Sequence, residues 1–389
     1  MRVDVAIIGG GIAGVALAGR LAPHLKVAVI EREPALGAMT TARSAAMFLP
    51  SYGGAAVAPL TRASRSFLTT ALGVSGAVFQ PRQALHVGRL PHLAPFGLAQ
   101  AADVPLQALS PRQAVRLFPV LREDMIDGAW LETEAGDIDV AALLELFRRM
   151  ALDAGAQLLV DAGEATIERR GDGWRLKSAR QTLEARIVVN AAGPWADTLA
   201  RAAAIAPLGL TPLRRTVILT PPVAQEGFAG WPIVKDVRER FYFRPYHGSL
   251  LITPADAHPS HPCDAAPDKA DIARAVLRFE TMCDHRVARV ERSWAGLRTF
   301  ASDHAPVIGW SHEDDGFFWL AGLGGFGVQT SPAVSQLAAS LILGQGAPAE
   351  LTDRGVDPAR YAPARFRARL ANLTAIGSNI DGRQGSRGA

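Results

Sequence analysis

Gly9, Gly11 and Gly14 stand in the order GxGxxG directly after an apolar run at residues 3–8, and Glu31 follows where a second such run ends. The three glycines serve different physical ends. Gly9 permits a tight turn, Gly11 admits the backbone to a pyrophosphate, and Gly14 lets a helix pack closely on the strand. The start of that helix offers unpaired N–H groups and partial positive charge to phosphate oxygens. A carboxylate at Glu31 is placed to accept hydrogen bonds from ribose hydroxyls. The pattern points to a bound dinucleotide rather than a glycine-rich turn in an unliganded α/β domain, and it leaves open which dinucleotide. A second constellation carries less. His258, His261, Cys263 and Cys283 are metal-ligand types, but the first three lie in the loop HPSHPC without the spacing that builds a closed tetrahedral cage. No metal is expected.

The elements that must position the glycine motif can be read from its flanks. Residues 3–8 are mostly β-branched and apolar, as in a buried parallel strand. Residues 13–21 predict a helix with Ala13, Leu17 and Leu21 on one face, and residues 26–30 a second strand. The loop at 34–44 is rich in small and polar residues, and Arg43 and Ser44 could donate to phosphate or ring oxygens of a ligand. A helix is expected at 60–72, irregular chain at 73–108 with a strand near 84–87, and a helix begun by Ser110 with Pro111 in its first turn. Asp139 is a good N-cap for a helix that carries Val140, Leu143, Leu144, Phe147 and Met150 and closes at Gly155. Strands at 156–160, 165–170 and 174–178 follow, the last two flanking the hairpin signal Gly171-Asp172-Gly173. The run 187–189 then leads into small residues.

Residues 210–300 change character. Runs at 216–219, 241–244, 250–253 and 287–294 alternate or carry β-branched and aromatic residues, which predicts an antiparallel sheet interrupted by a helix at 271–282. Antiparallel strands after parallel units suggest a second domain inserted into the first. A strand at 317–321, a glycine-rich turn at 322–327 and a helix at 332–343 return to the first domain. The expected division is 1–80, 139–209 and 299–369 for one domain, 81–138 and 210–298 for the other, and a disordered tail at 370–389.

At 389 residues the chain is long enough for two or three domains. An apolar fraction of 49% with 20% charged residues is ordinary for a globular protein. The net charge of +4 comes from scattered arginines, and the Arg-rich stretch 360–369 reads as a solvated helix face, so nucleic acid is not an expected partner. Two cysteines make no disulfide framework, which favours a reduced cytosol. The first apolar run is short and broken by glycines, unlike a signal peptide. No stretch approaches the roughly 18 uninterrupted apolar residues of a membrane span. The expectation is a cytoplasmic protein with no integral membrane segment, peripheral to the inner membrane at most.

Five spaced motifs carry a family resemblance: GGGIAG at the start, ARSAA at 42–46, VVNAAGPWAD at 188–197, WAGLRTFASDHAPVIG at 294–309 and GLGGFGVQTSP at 322–332. Together they resemble the D-amino-acid oxidase family of FAD flavoproteins over residues 1 to about 345, and within it the bacterial D-arginine dehydrogenase type. The resemblance implies an α/β fold with a discontinuous Rossmann-like FAD-binding domain and an inserted antiparallel-sheet substrate domain. FAD is expected to be non-covalent, since no Cys falls in 322–327, where some sarcosine-oxidase relatives attach flavin. Cofactor contacts are expected from Gly9, Gly11, Gly14, Glu31, Arg32, Arg43, Ser44, Ala45, Ala192, Gly193, Gly324, Gly327 and Gln329. By the same resemblance Arg298 grips the substrate carboxylate, Tyr242 shares it, Arg215 is a second contact, Tyr52 shapes the pocket from an active-site loop, and the Gly325 carbonyl faces the amine. A guanidinium suits a carboxylate because two parallel bonds fix direction as well as position. Asp303 and His304 are read as loop structure, because hydride transfer from Cα to flavin N5 needs no strong protein base.

The implied activity is oxidative deamination of a D-amino acid to a 2-oxo acid and ammonia, with a membrane quinone as a candidate electron acceptor. Glycine, sarcosine or opine-type amines on the same fold, or a non-catalytic FAD electron-relay subunit, are the alternatives. Two departures bear on the side chain. Ala84, shortly after Pro81-Arg82, stands where the D-arginine type has an acidic residue, and Met47 stands where it has a histidine. A buried guanidinium without a carboxylate partner is strongly disfavoured, so neutral or apolar side chains are expected ahead of D-Arg.

Overall fold

The computed structural model describes residues 1–73, 76–100, 104–178 and 180–366. The expected tail at 370–389 and the end of the 360–369 stretch lie outside the described residues. Two large sheets organise the rest. In the first, of eight strands, Gln157–Leu159, Val27–Ile30, Arg2–Ile8 and Thr182–Asn190 lie side by side in parallel, and Phe317–Ala321 adds to Thr182–Asn190. The hairpin Thr166–Arg170 and Gly173–Lys177 closes one edge. Alternation along residues 5–7 feeds two cores: Val5 and Ile7 pack with Leu17, Leu21 and Leu337 on one face, and Ala6 with Trp174 and Trp319 on the other. A strand buried on both faces explains its apolar run at residues 5–8.

The second sheet has ten strands and is mixed rather than purely antiparallel. Thr211–Thr220, Ser249–Thr253, Tyr242–Tyr246 and Arg292–Phe300 pair antiparallel, while Ile233–Asp236 runs parallel to Ala84–Gly88. One of its faces is closed by Phe118, Phe243, Phe279 and Trp231. Leu323–Gly324 pairs with Arg292–Phe300, so the glycine-rich turn belongs to the hydrogen bonding of the second sheet although its helix packs on the first.

Three expectations need correction. The stretch 73–108 is not simply irregular, because Leu90–Gln100 is a helix. It has no charged residue, and Leu90 and Leu98 are exposed, so no amphipathic period marked it. The strand expected at 287–294 is Arg292–Phe300, its register set by pairing from Leu219↔Arg292 to Thr211↔Phe300. The last large helix begins at Gly327, not 332. Pro332 removes the N–H that Val328 O would accept, and the Ser331 hydroxyl donates to that oxygen at 2.9 Å instead.

The cysteines are unlike each other. Cys263 is exposed, while Cys283 is buried and burial pushes its thiol well up from the ordinary range. A thiol reagent is therefore expected to titrate one group quickly in the native protein and two in denaturant. Two fast thiols under native conditions would contradict this packing.

Candidate active site

One cavity is lined by the glycine turn and Glu31 from the first sheet, and by Arg215, Tyr242 and Arg298 from the second. At its first end the helix Ile12–Leu21 starts at Gly11 with no side-chain cap and no acidic residue in its first turn. The Ile12 N–H donates to Thr41 Oγ1 at 3.0 Å, and the remaining first-turn donors are suited to a phosphate. Glu31 is held by two backbone donors, Gly10 N–H to Oε2 at 2.7 Å and Glu33 N–H to Oε1 at 2.9 Å. The Arg32 guanidinium stacks 3.7 Å over the Trp195 ring, and both line the cavity.

The glycines differ in what they answer to. A Cβ on Gly9, where φ is +111°, would lie 2.3 Å from Ala191 O, and one on Gly14 would lie 2.0 Å from Gly9 O. A Cβ on Gly11 would meet only Thr41 Oγ1, at 3.4 Å. Protein packing demands the first two, whereas the space beside Gly11 is a cradle for something else. A second helix, Gly327–Ile342, also opens into the cavity without a side-chain cap or an early acidic residue. Two helix N-termini, an oriented carboxylate and an uncrowded glycine fit a dinucleotide with an anionic centre.

The other end is built by strand register. Arg215 pairs with Gly296 and Leu213 with Arg298, so the two arginines are diagonal neighbours on one face. Tyr242 shares that cavity while Phe241 and Phe243 enter the core behind it, as alternation requires. Arg215 Nε donates to the main-chain oxygen of Asp256 at 2.7 Å, and Arg298 Nη2 donates to the same oxygen at 3.2 Å. Ala255, with φ +51°, turns the chain into the left-handed region just before it, a conformation that costs about 1–3 kcal/mol in a non-glycine residue and clusters at functional sites. The Asp256 carboxylate accepts Thr216 N–H at 2.7 Å and the Thr216 hydroxyl at 3.1 Å, and its Oδ1 lies 4.0 Å from Arg215 Nε.

Electrostatics favour an anion between these groups. Burial lowers the Arg298 pKa from its ordinary value, and the neighbouring Arg215 charge lowers it further. For Arg215 burial also opposes the charge, but the Asp256 carboxylate and a hydrogen bond to Tyr242 favour it, and the net direction is up. Burial raises the Tyr242 pKa, so its phenol stays protonated and can donate. Arg298 Nε is buried without a partner among the described residues. The Tyr52 ring lies edge-on to Phe326 at 4.7 Å, and a Cβ on Gly325 would come within 3.1 Å of its hydroxyl and 3.2 Å of Arg298 Cδ.

Of the residues anticipated from sequence, Arg298, Tyr242, Arg215, Tyr52, Gly325, Gly9, Gly11, Glu31, Arg32, Arg43, Ser44, Ala45, Ala192, Gly193, Gly324, Gly327 and Gln329 all line the cavity. Gly14 does not; it packs on Gly9 O as described. Arg43 borders the cavity, but its guanidinium turns to Asp264 and to the carbonyls of Ala295 and Ala265 at 3.3 and 3.5 Å, which corrects the expectation that it donates to the ligand. Gln329 is buried and ties Leu49 to Thr61: its Oε1 accepts Leu49 N–H at 3.1 Å and its Nε2 donates to Thr61 Oγ1 at 2.9 Å. Ala84 is fully buried with Leu49, Ala135 and Ile233 and does not reach the cavity. It therefore cannot choose the substrate side chain, although Met47 does line the space. Asp303 accepts from Arg365 at 2.7 Å, a loop tie rather than an acid–base group. The Asp256 carbonyl went unanticipated, since a backbone acceptor carries no side-chain signature.

With that geometry in place the comparisons are specific. The model of the DAO family, FAD dependent oxidoreductase, matches residues 4–341, and the chain belongs to that family. FAD is the cofactor for which the cavity is built. The chain is 25% identical over 372 residues to glycine oxidase of Geobacillus kaustophilus, covering 88% of this chain and 93% of that protein. It is also 25% identical over 265 residues to mitochondrial sarcosine dehydrogenase of Mus musculus, covering 64% of this chain but only 28% of that longer protein. Among solved structures, L-proline dehydrogenase from P. horikoshii superposes with a TM-score of 0.81 at 21% identity, covering 94% of this chain and 98% of that one. The family is as expected; the D-arginine dehydrogenase type is not singled out by these relatives. Among the described residues, no helix is long and apolar enough to cross a membrane.

Proposed function

We propose that this protein oxidises the Cα–N bond of a small, neutral amino acid, with glycine and N-alkyl or cyclic secondary amino acids ahead of D-amino acids. The observation that carries the reading is the pair Arg215 and Arg298, tied to one Asp256 carbonyl beside Tyr52, Tyr242 and Gly325, at the end of the FAD cavity. The names of the glycine oxidase and sarcosine dehydrogenase relatives favour small or N-substituted substrates over D-arginine.

FAD, when bound, supplies the acceptor for the hydride leaving Cα. The chain's own contribution is placement. Arg298 and Arg215 hold the carboxylate, Tyr242 and Tyr52 donate to it, and the Gly325 carbonyl is available to the amine. Among the described residues the acidic groups near Arg215 and Arg298, Asp256 and Glu239, lie off the lining and are held by Thr216 and Lys235, so a cationic substrate side chain would be left unpaired. The oxidised substrate is an imine that water hydrolyses to the oxo acid, releasing ammonia or the alkylamine, or leaving the amine tethered where the substrate is cyclic.

Anaerobic mixing of the purified flavoprotein with glycine, sarcosine, L-proline, D-Met, D-Phe and D-Arg tests this by loss of the oxidised flavin absorbance. Bleaching by one of the first three at the highest rate, and none by D-Arg, is the expected result. Faster bleaching by D-Met or D-Phe would move the substrate to D-amino acids. A yellow protein bleached by no amino acid would leave the relay-subunit alternative. Peroxide formed in step with substrate loss in air would make it an oxidase.

A further inference from the structure

Ser51, the residue before Tyr52, is gripped twice by a single carboxylate. Glu132 Oε1 accepts the Ser51 N–H at 3.0 Å, and Oε2 accepts the Ser51 hydroxyl at 2.7 Å. His86 Nε2 lies 2.7 Å from that same Oε2. Glu132 and His86 are fully buried, Ser51 is nearly so, and none of the three lines the cavity. The residue types are those of a nucleophilic triad, but the arrangement is not. The serine hydroxyl lies closer to the carboxylate, 2.7 Å from Glu132 Oε2, than to His86 Nε2 at 3.3 Å, and His86 Nδ1 has no partner among the described residues to orient it.

A buried carboxylate costs several kcal/mol unless it is paired and hydrogen-bonded, so a group kept in this place needs a reason beyond packing. Its position supplies one. The Tyr52 ring is bounded by Phe326 at 4.7 Å and by the Lys235 ammonium, 5.1 Å from the ring centroid. Those contacts set the tilt of the ring. They do not set how far the loop carries its hydroxyl toward Arg298 and Gly325. The loop backbone must do that, and at Ser51 it is tied to Glu132. Lys235 and His86 are cross-strand neighbours, so the support for the ring and the support for the backbone rise from one sheet face.

We propose that Glu132, oriented by His86, is a positioning residue that fixes Ser51 and thereby the Tyr52 hydroxyl at the carboxylate site. The proposal rests on the reading that Tyr52 contacts the substrate carboxylate. A displacement of about 1 Å in a positioned group can cost on the order of 100-fold in rate, so a looser Ser51 should be visible in substrate binding.

A double-mutant cycle on the FAD-loaded enzyme, with acetate as probe and calorimetry as readout, tests it. Glu132→Gln is expected to weaken acetate binding by about tenfold, and Tyr52→Phe by a similar factor; in the Tyr52→Phe background Glu132→Gln should then add less than about twofold, because the pair is coupled. A merely structural role would lower the melting temperature of Glu132→Gln and leave its acetate affinity intact, which overturns the proposal, as would additive losses in the double variant. If Tyr52→Phe alone leaves acetate binding unchanged, it is the carboxylate reading of Tyr52 that falls first. Should Glu132→Gln fail to fold, Ser51→Ala completes the same cycle, since it removes only the hydroxyl and leaves the buried Glu132–His86 pair in place.

Discussion

Arg298→Lys lowers kcat/KM by at least about 30-fold while the protein stays folded and yellow. Removing one side of a buried, hydrogen-bonded charge pair typically costs about 2–5 kcal/mol, and each 1.4 kcal/mol is roughly tenfold. Lysine keeps the charge, so the loss is one of geometry. Arg298 uses Nη2 on the Asp256 carbonyl and still has donors on a rigid plane for a carboxylate, whereas an ammonium is a point charge that cannot serve both fixed directions. The loss should fall mainly on KM if the carboxylate is held equally in ground and transition states, and on kcat if orientation of Cα is what Arg298 controls. Fold and cofactor should survive. Arg298 is pressed by burial and by the Arg215 charge, a cost that a lysine cation shares, so the melting temperature should change little. Steady-state kinetics with the best substrate of the anaerobic panel, alongside the ratio of flavin to protein absorbance, separates these effects. A loss below about threefold would remove Arg298 from the carboxylate site, since it lies within the range of an exposed ion pair.

What could be read from the amino acids follows from which features are local. The strand, glycine turn, helix and Glu31 were legible because every requirement is met within about thirty residues, each by a residue type with few alternatives. The side of the sheet on which Tyr242 falls was legible from alternation alone, and Phe241 and Phe243 do enter the opposite core. Ala84 shows where this stops. Alternation puts Leu85 and Val87 in the opposite core and leaves Ala84 on the site's face, but Leu49 from the active-site loop packs over it. Whether a loop covers a position is a tertiary fact with no local signature. The same holds for the Asp256 carbonyl, whose aim depends on the φ of Ala255, and for Glu132, which resembled any charged strand residue until Ser51 was brought against it.

Alanine at each of the three motif glycines is expected to give three distinguishable proteins. Gly11 has φ −72°, which any residue adopts, and its added methyl meets nothing closer than Thr41 Oγ1 at 3.4 Å. Gly11→Ala should therefore fold with nearly the wild-type melting temperature when stripped of FAD, yet bind FAD at least about tenfold more weakly, because the methyl occupies the approach that a pyrophosphate needs. Gly14→Ala is the converse. Its methyl would fall 2.0 Å from Gly9 O, so helix and turn must separate at a cost of about 1–3 kcal/mol or more, and the stripped protein itself should melt lower. Gly9→Ala should be the most damaged. It combines a methyl 2.3 Å from Ala191 O with a φ of +111° that L side chains avoid, and it breaks the contact between the turn and the Ala191–Ala192 segment bordering the same cavity. Melting curves of the stripped proteins, followed by FAD titration, sort the three. The decisive comparison is between Gly11 and Gly14. If Gly11→Ala destabilises the stripped fold as much as Gly14→Ala, the space beside Gly11 belongs to the protein's own packing and not to the cofactor.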